Sequence, residues 1–321
     1  MIESPKVTET KQPPREHRDY YLEGLALGRE GRHEDALIAF SEALSVDPDR
    51  ALAWVGRGFA LGKLGRYEEE IECCEKALAL DPECVDAWIF KGFALGKLDR
   101  LLEKVECCEQ ALKIDPKSAV AWNNKGVALG RLGKYEEEIH CCDRSLELRP
   151  RYLSAWVNRG YAFGKLKWYE EEIICYDRAL KIYPFYFSAL LNKGIALINL
   201  KRYQEAIDIL DRALSIEPGN AIALYRKGLS LSLLGKHEEA IDCLKSALNL
   251  NPSIADAWVV MSNSCFMLGR LEESARAFDQ AYYLDAKDAR TGMVKGLSLL
   301  KTGRFDDAIR SFSNVWGILL R

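Results

Sequence analysis

Three adjacent cysteine pairs, Cys73–Cys74, Cys107–Cys108 and Cys141–Cys142, are the residues of this chain best equipped for chemistry, as metal ligands or as a redox couple. They recur every 34 residues, and Cys175 and Cys243 continue the first member of each pair on the same spacing. A zinc site needs C-x2-C pairs or histidine partners that converge on one ion. Two adjacent residues of a helix point about 100° apart, so they cannot close on one metal from one face. Equivalent helices in a stack sit about 8–10 Å apart, whereas a disulfide needs Cα atoms within about 7 Å. Where the second cysteine is missing, the same column holds Phe40, Tyr176, Leu210, Leu244, Phe278 or Phe312. Cysteine there reads as a small buried hydrophobe. Cys84 and Cys265 stand outside the series and suggest nothing.

The other reactive residues are equally bland. Of the four histidines (His17, His33, His140, His237), His33 and His237 share a column with Tyr67, Tyr135, Tyr169 and Tyr203, which points to packing or a turn. The runs of three glutamates at 68–70, 136–138 and 170–172 open helices, where carboxylates favour the dipole. "GFALGK" at Gly58–Lys63 is one residue short of a phosphate loop, is followed by Leu, and lies on a helix and not after a strand. No catalytic residue, cofactor or metal is expected, and the chain does not read as an enzyme.

The elements that hold these residues follow from the period. From His17 onward the chain falls into register at 34 residues without insertion, with units starting at 17, 51, 85, 119, 153, 187, 221, 255 and 289. That is the period of a helix–turn–helix repeat. Position 4 is usually Trp (Trp54, Trp88, Trp122, Trp156, Trp258). Position 8 is Gly in every repeat but the eighth, which marks close approach of two helices. Position 15 is often Gly and suits the turn between them. Position 32 is Pro from Pro48 to Pro252, where the second helix must stop. Residues 1–16, with Pro5, Pro13 and Pro14, read as a flexible tail.

Of the 321 residues, 48% are hydrophobic and 29% charged, which is the composition of a folded chain. A net charge of −3 gives no general attraction to nucleic acid or acidic lipid. No apolar run is long enough to span a membrane. The start lacks the apolar core of a signal peptide, and ten cysteines without an export signal point to a reducing, cytoplasmic setting.

These columns, with small residues at 27 and aromatics at 24, resemble the tetratricopeptide repeat family, most closely the long arrays of archaea and bacteria. The resemblance runs from His17 to Arg321. It implies an all-α, right-handed α-solenoid in which helix A of each repeat lines a concave groove and helix B faces outward. Stacking must supply the core, because one unit cannot bury its own apolar face. The carboxylate clamp of the chaperone-binding members is incomplete: Asn192 and Arg226 match in part, but Val157, Tyr161 and Ile222 fill the remaining places.

Function is then expected on helix A. Position 6 carries Asn124, Asn158 and Asn192 in succession, followed by Arg226. An amide offers both donor and acceptor, so such a ladder can pair with the backbone of an extended peptide. Position 13 carries Arg29, Lys63, Lys97, Arg131 and Lys165, a basic stripe beside the apolar residues Phe59, Phe93 and Tyr161 of position 9. Gly at position 12 in repeats one to five is expected to open space beside that stripe. The partner expected is a protein or an extended, acidic peptide; nucleic acid is disfavoured by the near-neutral charge. Glu70, Lys104, Glu138 and Glu172 replace the usual Ala at position 20, and pairing with position 7 (Arg57, Lys125, Arg159) is expected for the glutamates; Lys104 beside Lys91 does not fit. The apolar end "SNVWGILLR" is a candidate for self-association. The alternative to a groove-binding scaffold is a regulatory or substrate-presenting subunit of an enzyme complex, docked through that end or the outer helices.

Overall fold

The computed structural model describes residues 19–284 and a few positions between 296 and 311. The tail 1–16 and the apolar residues Val315–Leu320 lie outside the described residues. The helices come in consecutive pairs: α1 (Tyr20–Arg29) and α2 (His33–Val46), α3 (Ala51–Lys63) and α4 (Tyr67–Leu80), α5 (Val85–Lys97) and α6 (Leu101–Ile114), α7 (Ala119–Arg131) and α8 (Tyr135–Leu148). The series continues with α9 (Leu153–Lys165) and α10 (Tyr169–Ile182), α11 (Phe187–Asn199) and α12 (Tyr203–Ile216), α13 (Ala221–Leu233) and α14 (His237–Leu250), α15 (Ala255–Met267) and α16 (Leu271–Leu284). No strand occurs among the described residues. The chain divides into two compact units between Pro150 and Arg151.

The column residues explain the repeat geometry. Each odd-numbered helix (helix A) ends in a left-handed residue at position 15, for example Gly65 at φ 79° and Gly133 at φ 82°. The next N–H then reaches back five residues, as from Arg66 to the Leu61 carbonyl at 3.0 Å, and closes the helix end. Repeats three, five and six make the same turn with Asp99, Lys167 and Lys201, all at φ 61–64°. At the other junction, the indole N–H of Trp54, Trp88, Trp122 and Trp258 donates to the carbonyl of Pro48, Pro82, Pro116 and Pro252 at 2.8–3.1 Å. The Trp and Pro columns are therefore two halves of one contact.

Within each unit a helix A packs against its own helix B and against the preceding B, and it also touches the next helix A. Within each unit no described B helix touches another B. The A helices thus crowd one another while the B helices splay, which makes the helix A surface the inner side of each unit. Core residues such as Ala53, Leu61, Ala77, Leu95 and Ala111 in the first unit, and Leu197, Leu210, Ala213 and Leu244 in the second, lie between the layers and are fully buried.

Candidate functional site

The cysteines fill the A–B contact of their own repeat. A Cβ added at Gly58 would lie 3.3 Å from Cys73 Cβ and 3.6 Å from Cys74 Sγ; Gly92 and Gly126 face the next two pairs in the same way. In repeats five to seven a ring or an isobutyl group does that work, with Tyr176, Leu210 and Leu244 at about 2.8 Å from the corresponding position. All ten cysteines are free thiols. Burial pushes Cys107 and Cys141 up to about 11 and Cys108 to about 12, which disfavours the nucleophilic thiolate. Among the described residues no His/Cys/Asp/Glu group could hold a metal ion.

Glycine at position 12 opens space beside the stripe where Gly28 and Gly62 line pockets with Arg29 and Lys63, and in repeats two to five it has a second effect that the sequence did not suggest. It makes room for the residue at position 20. A Cβ at Gly62 would lie 2.2 Å from Glu70 Oε2, at Gly96 2.8 Å from Lys104 Cδ, at Gly130 1.9 Å from Glu138 Oε2, and at Gly164 2.7 Å from the Glu172 carboxyl. Each long side chain lies over a helix stripped of side chain. Where position 12 is large (Ile198, Phe266), position 20 is small (Ala206, Ser274). Repeat one has small residues at both, Gly28 and Ala36; nothing meets a Cβ at Gly28, and a pocket of about 380 Å³ opens there, walled by Tyr21, Leu25, Phe40, Phe59, Phe90 and Arg29.

Pairing of position 20 with position 7 does not occur either. Lys91, Lys125, Lys193 and Lys227 reach back to the preceding repeat, to Glu75, Glu109, Asp177 and Asp211 at 2.5–2.8 Å. Arg57 and Arg159 donate instead to Cys73 and Cys175 Sγ at 3.4 and 3.5 Å. Lys91 beside Lys104 is no longer a puzzle: Lys91 belongs to Glu75, and Lys104 lies on Gly96 with burial lowering its ammonium from the ordinary lysine value. The three glutamates are 1%, 3% and 7% exposed. Burial raises Glu70 and Glu138 to about 8 and Glu172 to about 7; Lys63 partly offsets the shift at Glu70, and a hydrogen bond from Tyr176 Oη at 3.2 Å does so at Glu172.

In the first unit, Phe59, Lys63, Phe93 and Asn124 converge. They wall one pocket of about 200 Å³ together with Phe90 and Glu70. Asn124 is half-buried there. The basic stripe has three different fates. Lys63 and Lys97 lie over Phe59 and Phe93 with ammonium-to-ring distances of 5.2 and 5.3 Å. Arg131 is tied to the preceding turn, donating to the Gly96 carbonyl at 2.6 Å and Asp99 Oδ1 at 2.8 Å. Arg29 stands exposed at the wall of the larger pocket. In the second unit, Asn158 and Asn192 are half-buried on successive A helices, Lys165 lies over Tyr161 at 5.0 Å, and Arg226 over Tyr225 at 4.9 Å. Glu70 and Phe90 are the site residues that the motif reading missed; the signal was a Gly/Glu pair eight residues apart in the same repeat.

Three family models described as tetratricopeptide repeat match the chain, over residues 21–83 and 174–221, 107–140, and 85–118 and 153–186, together more than half of it. A model described as anaphase-promoting complex, cyclosome, subunit 3 matches 199–281. None of the curated proteins matches the chain. Among solved structures, the crystal structure of the APC/C hetero-tetramer Cut9-Hcn1 is similar at TM-score 0.58 and 16% identity, covering 93% of this chain and 72% of that one. YrrB, a TPR protein with an unusual peptide-binding site, is similar at TM-score 0.50 and 20% identity, over 57% of this chain and 94% of its own. A MamA RS-1 ArsTM double mutant aligns at TM-score 0.50 and 22% identity, over 52% and 94%. At these identities the structures share the fold alone.

Proposed function

The chain belongs to the tetratricopeptide repeat family, and from that premise we propose that it is a non-enzymatic scaffold whose helix A surface binds a protein or an extended peptide. The observation that carries this reading is the meeting of Phe59, Lys63, Phe93 and Asn124 around one pocket on the inner side. Apolar rings beside an ammonium and an amide suit a peptide that is partly hydrophobic and acidic. Asn158 and Asn192 are taken as backbone-pairing positions of the second unit, with Arg226 next in the column; Lys97, Lys165 and Tyr161 present ammonium and ring beside them. Arg131 contributes less, because its guanidinium already holds the Gly96–Asp99 turn. No described helix is long and apolar enough to cross a membrane, and a cytoplasmic setting is part of the proposal.

The test is an affinity capture with wild type beside an Asn124/Asn158/Asn192→Ala variant whose circular dichroism matches. Partners retained by wild type and lost from the variant support groove binding. Partners retained equally by both sink it. A second reading rests on the match of residues 199–281 to an anaphase-promoting complex subunit: the chain would serve as a subunit of an enzyme assembly, docked through its outer helices or its C-terminal end. Equal retention by both proteins is the outcome that reading expects.

A further inference from the structure

The 200 Å³ pocket of the first unit has a property that peptide binding in general does not require. Its wall, built from α3, α4, α5 and α7, includes Glu70, a side chain only 1% exposed. Glu70 Oε2 is buried without a hydrogen-bond partner among the described residues. An unpartnered buried polar atom is costly, and structures normally pair such atoms. The rest of the lining does not supply a partner: Phe59, Phe90 and Phe93 are apolar, and Lys63 lies across the face of Phe59.

The groups that do reach the pocket share one character. Lys63 offers an ammonium, and the Asn124 amide offers N–H donors. Outside the lining, Lys97 lies over the ring of Phe93. A ligand cation would meet the Lys63 ammonium already over the face of Phe59. We propose that this pocket is a binding site for a ligand carboxylate on a short aliphatic chain, with Lys63, Asn124 and Glu70 as its hydrogen-bonding groups and the three phenylalanines against the aliphatic part. The assignment rests on the groove reading above and names the side chain that the groove recognises in its first unit. The volume suits one acidic side chain or one chain terminus, not a folded segment.

Burial holds Glu70 protonated at neutral pH, with a midpoint at about 8, so it donates a hydrogen bond where an ionised carboxylate would repel. The charged and titratable neighbours facing it are Lys63 on α3 and Cys74 one turn along α4. Val120 and Asn124 on α7 carry no charge. Carboxylate affinity must then fall as pH rises through about 8, by about thirtyfold at pH 9.5 relative to pH 6.5. A cation would show the opposite slope.

The experiment uses the full chain and ligand-observed NMR titrations of sodium butyrate and n-butylammonium chloride at pH 6.5 and 9.5. Expected is saturable butyrate binding at pH 6.5 that weakens about thirtyfold at pH 9.5. Glu70→Gln keeps a donor and should bind butyrate with no such slope. Val120→Phe fills the pocket without touching Glu70 and should abolish binding, which guards against a folding defect in the first variant. Two hexapeptides, one with an internal Glu and an amidated end and one with a free C-terminal carboxylate, then identify the source; binding of either supports the site. Preference for butylammonium, butyrate binding unaffected by Val120→Phe, or an unchanged slope in Glu70→Gln overturns it. If the carboxylates fail to bind while the asparagine variant still loses its partners, the pocket assignment falls and the groove reading stands.

Discussion

Replacing Glu138 by Gln should make the protein more heat-stable at alkaline pH and leave it nearly unchanged in acid. Glu138 lies over Gly130, 3% exposed, with Oε2 unpartnered. Burial raises its carboxyl from 4.5 to about 8. The sign follows from proton counting. Between about 4.5 and about 8 the folded chain holds a proton here that the unfolded chain has released. Stability is therefore highest below the lower value, falls as pH rises through this window, and levels off above about 8. Each pKa unit is worth about 1.4 kcal/mol. Relaxation and water penetration on ionisation reduce the full shift, and a working figure is about 2 kcal/mol. For a unit of this size that is about 4–8 °C in melting temperature. Repeat arrays need not melt in one step. The assay is thus a thermal melt at pH 5.5, 7 and 8.5 together with amide hydrogen exchange resolved for α7 and α8. The gap between Glu138→Gln and wild type should widen with pH and concentrate in those two helices. A gap of the same size at pH 5.5 and 8.5, or a variant that melts lower at pH 8.5, would refute the reasoning.

Two more outcomes follow from the same packing. Gly130→Ser should destabilise by about 1–3 kcal/mol, because its Cβ must displace the Glu138 carboxyl; combined with Glu138→Ala it reproduces the Ser232/Ala240 pair of repeat seven, and the double variant should be more stable than the sum of the single effects, a double-mutant cycle that reads zero coupling if the contact is unimportant. Lys201→Gly should raise the melting temperature by a few degrees, since Lys201 sits at φ 61° where a side chain is strained by about 1 kcal/mol; a lower melting temperature would show that the unfolded-state entropy of glycine outweighs the strain.

What could be read from the chain, and what could not, divides along a physical line. The helix pairs, their lengths and their turns were legible because each rests on one residue type with one reason: Gly at φ near 80°, Pro that stops a helix, Gly where a neighbour's Cβ or ring arrives. The cysteines were legible because their column also holds rings and leucines. Pairs of columns were harder. Gly62 and Glu70, read singly, look like an open space and a stray charge; only the side chain's path over the bare helix joins them. The position 7 cations misled for a related reason: the lysines find their partners sixteen residues back in the preceding repeat, across the B-to-A junction, and the arginines find thiols sixteen residues ahead in their own repeat.

The repeats nevertheless contain their own control for such pairs. Each of repeats two to five joins Gly at position 12 to Glu or Lys at position 20, and repeats six and eight reverse the sizes with Ile198/Ala206 and Phe266/Ser274. Side-chain volume alone would be satisfied by Gly with Leu or Met, which would avoid burying an ionisable group at a penalty of several kcal/mol. The chain instead places a carboxyl or an ammonium in that slot four times in succession. Neutral Glu is a tolerable core residue and can also donate a hydrogen bond, and the slot at Glu70 meets a pocket with an amide and an ammonium on its wall. If packing were the whole reason for the slot, Glu70→Met would bind carboxylate probes and partners as wild type does. Loss of probe binding in Glu70→Met with retention in Glu70→Gln would show that the hydrogen-bonding group, and not its volume, is what the first unit uses.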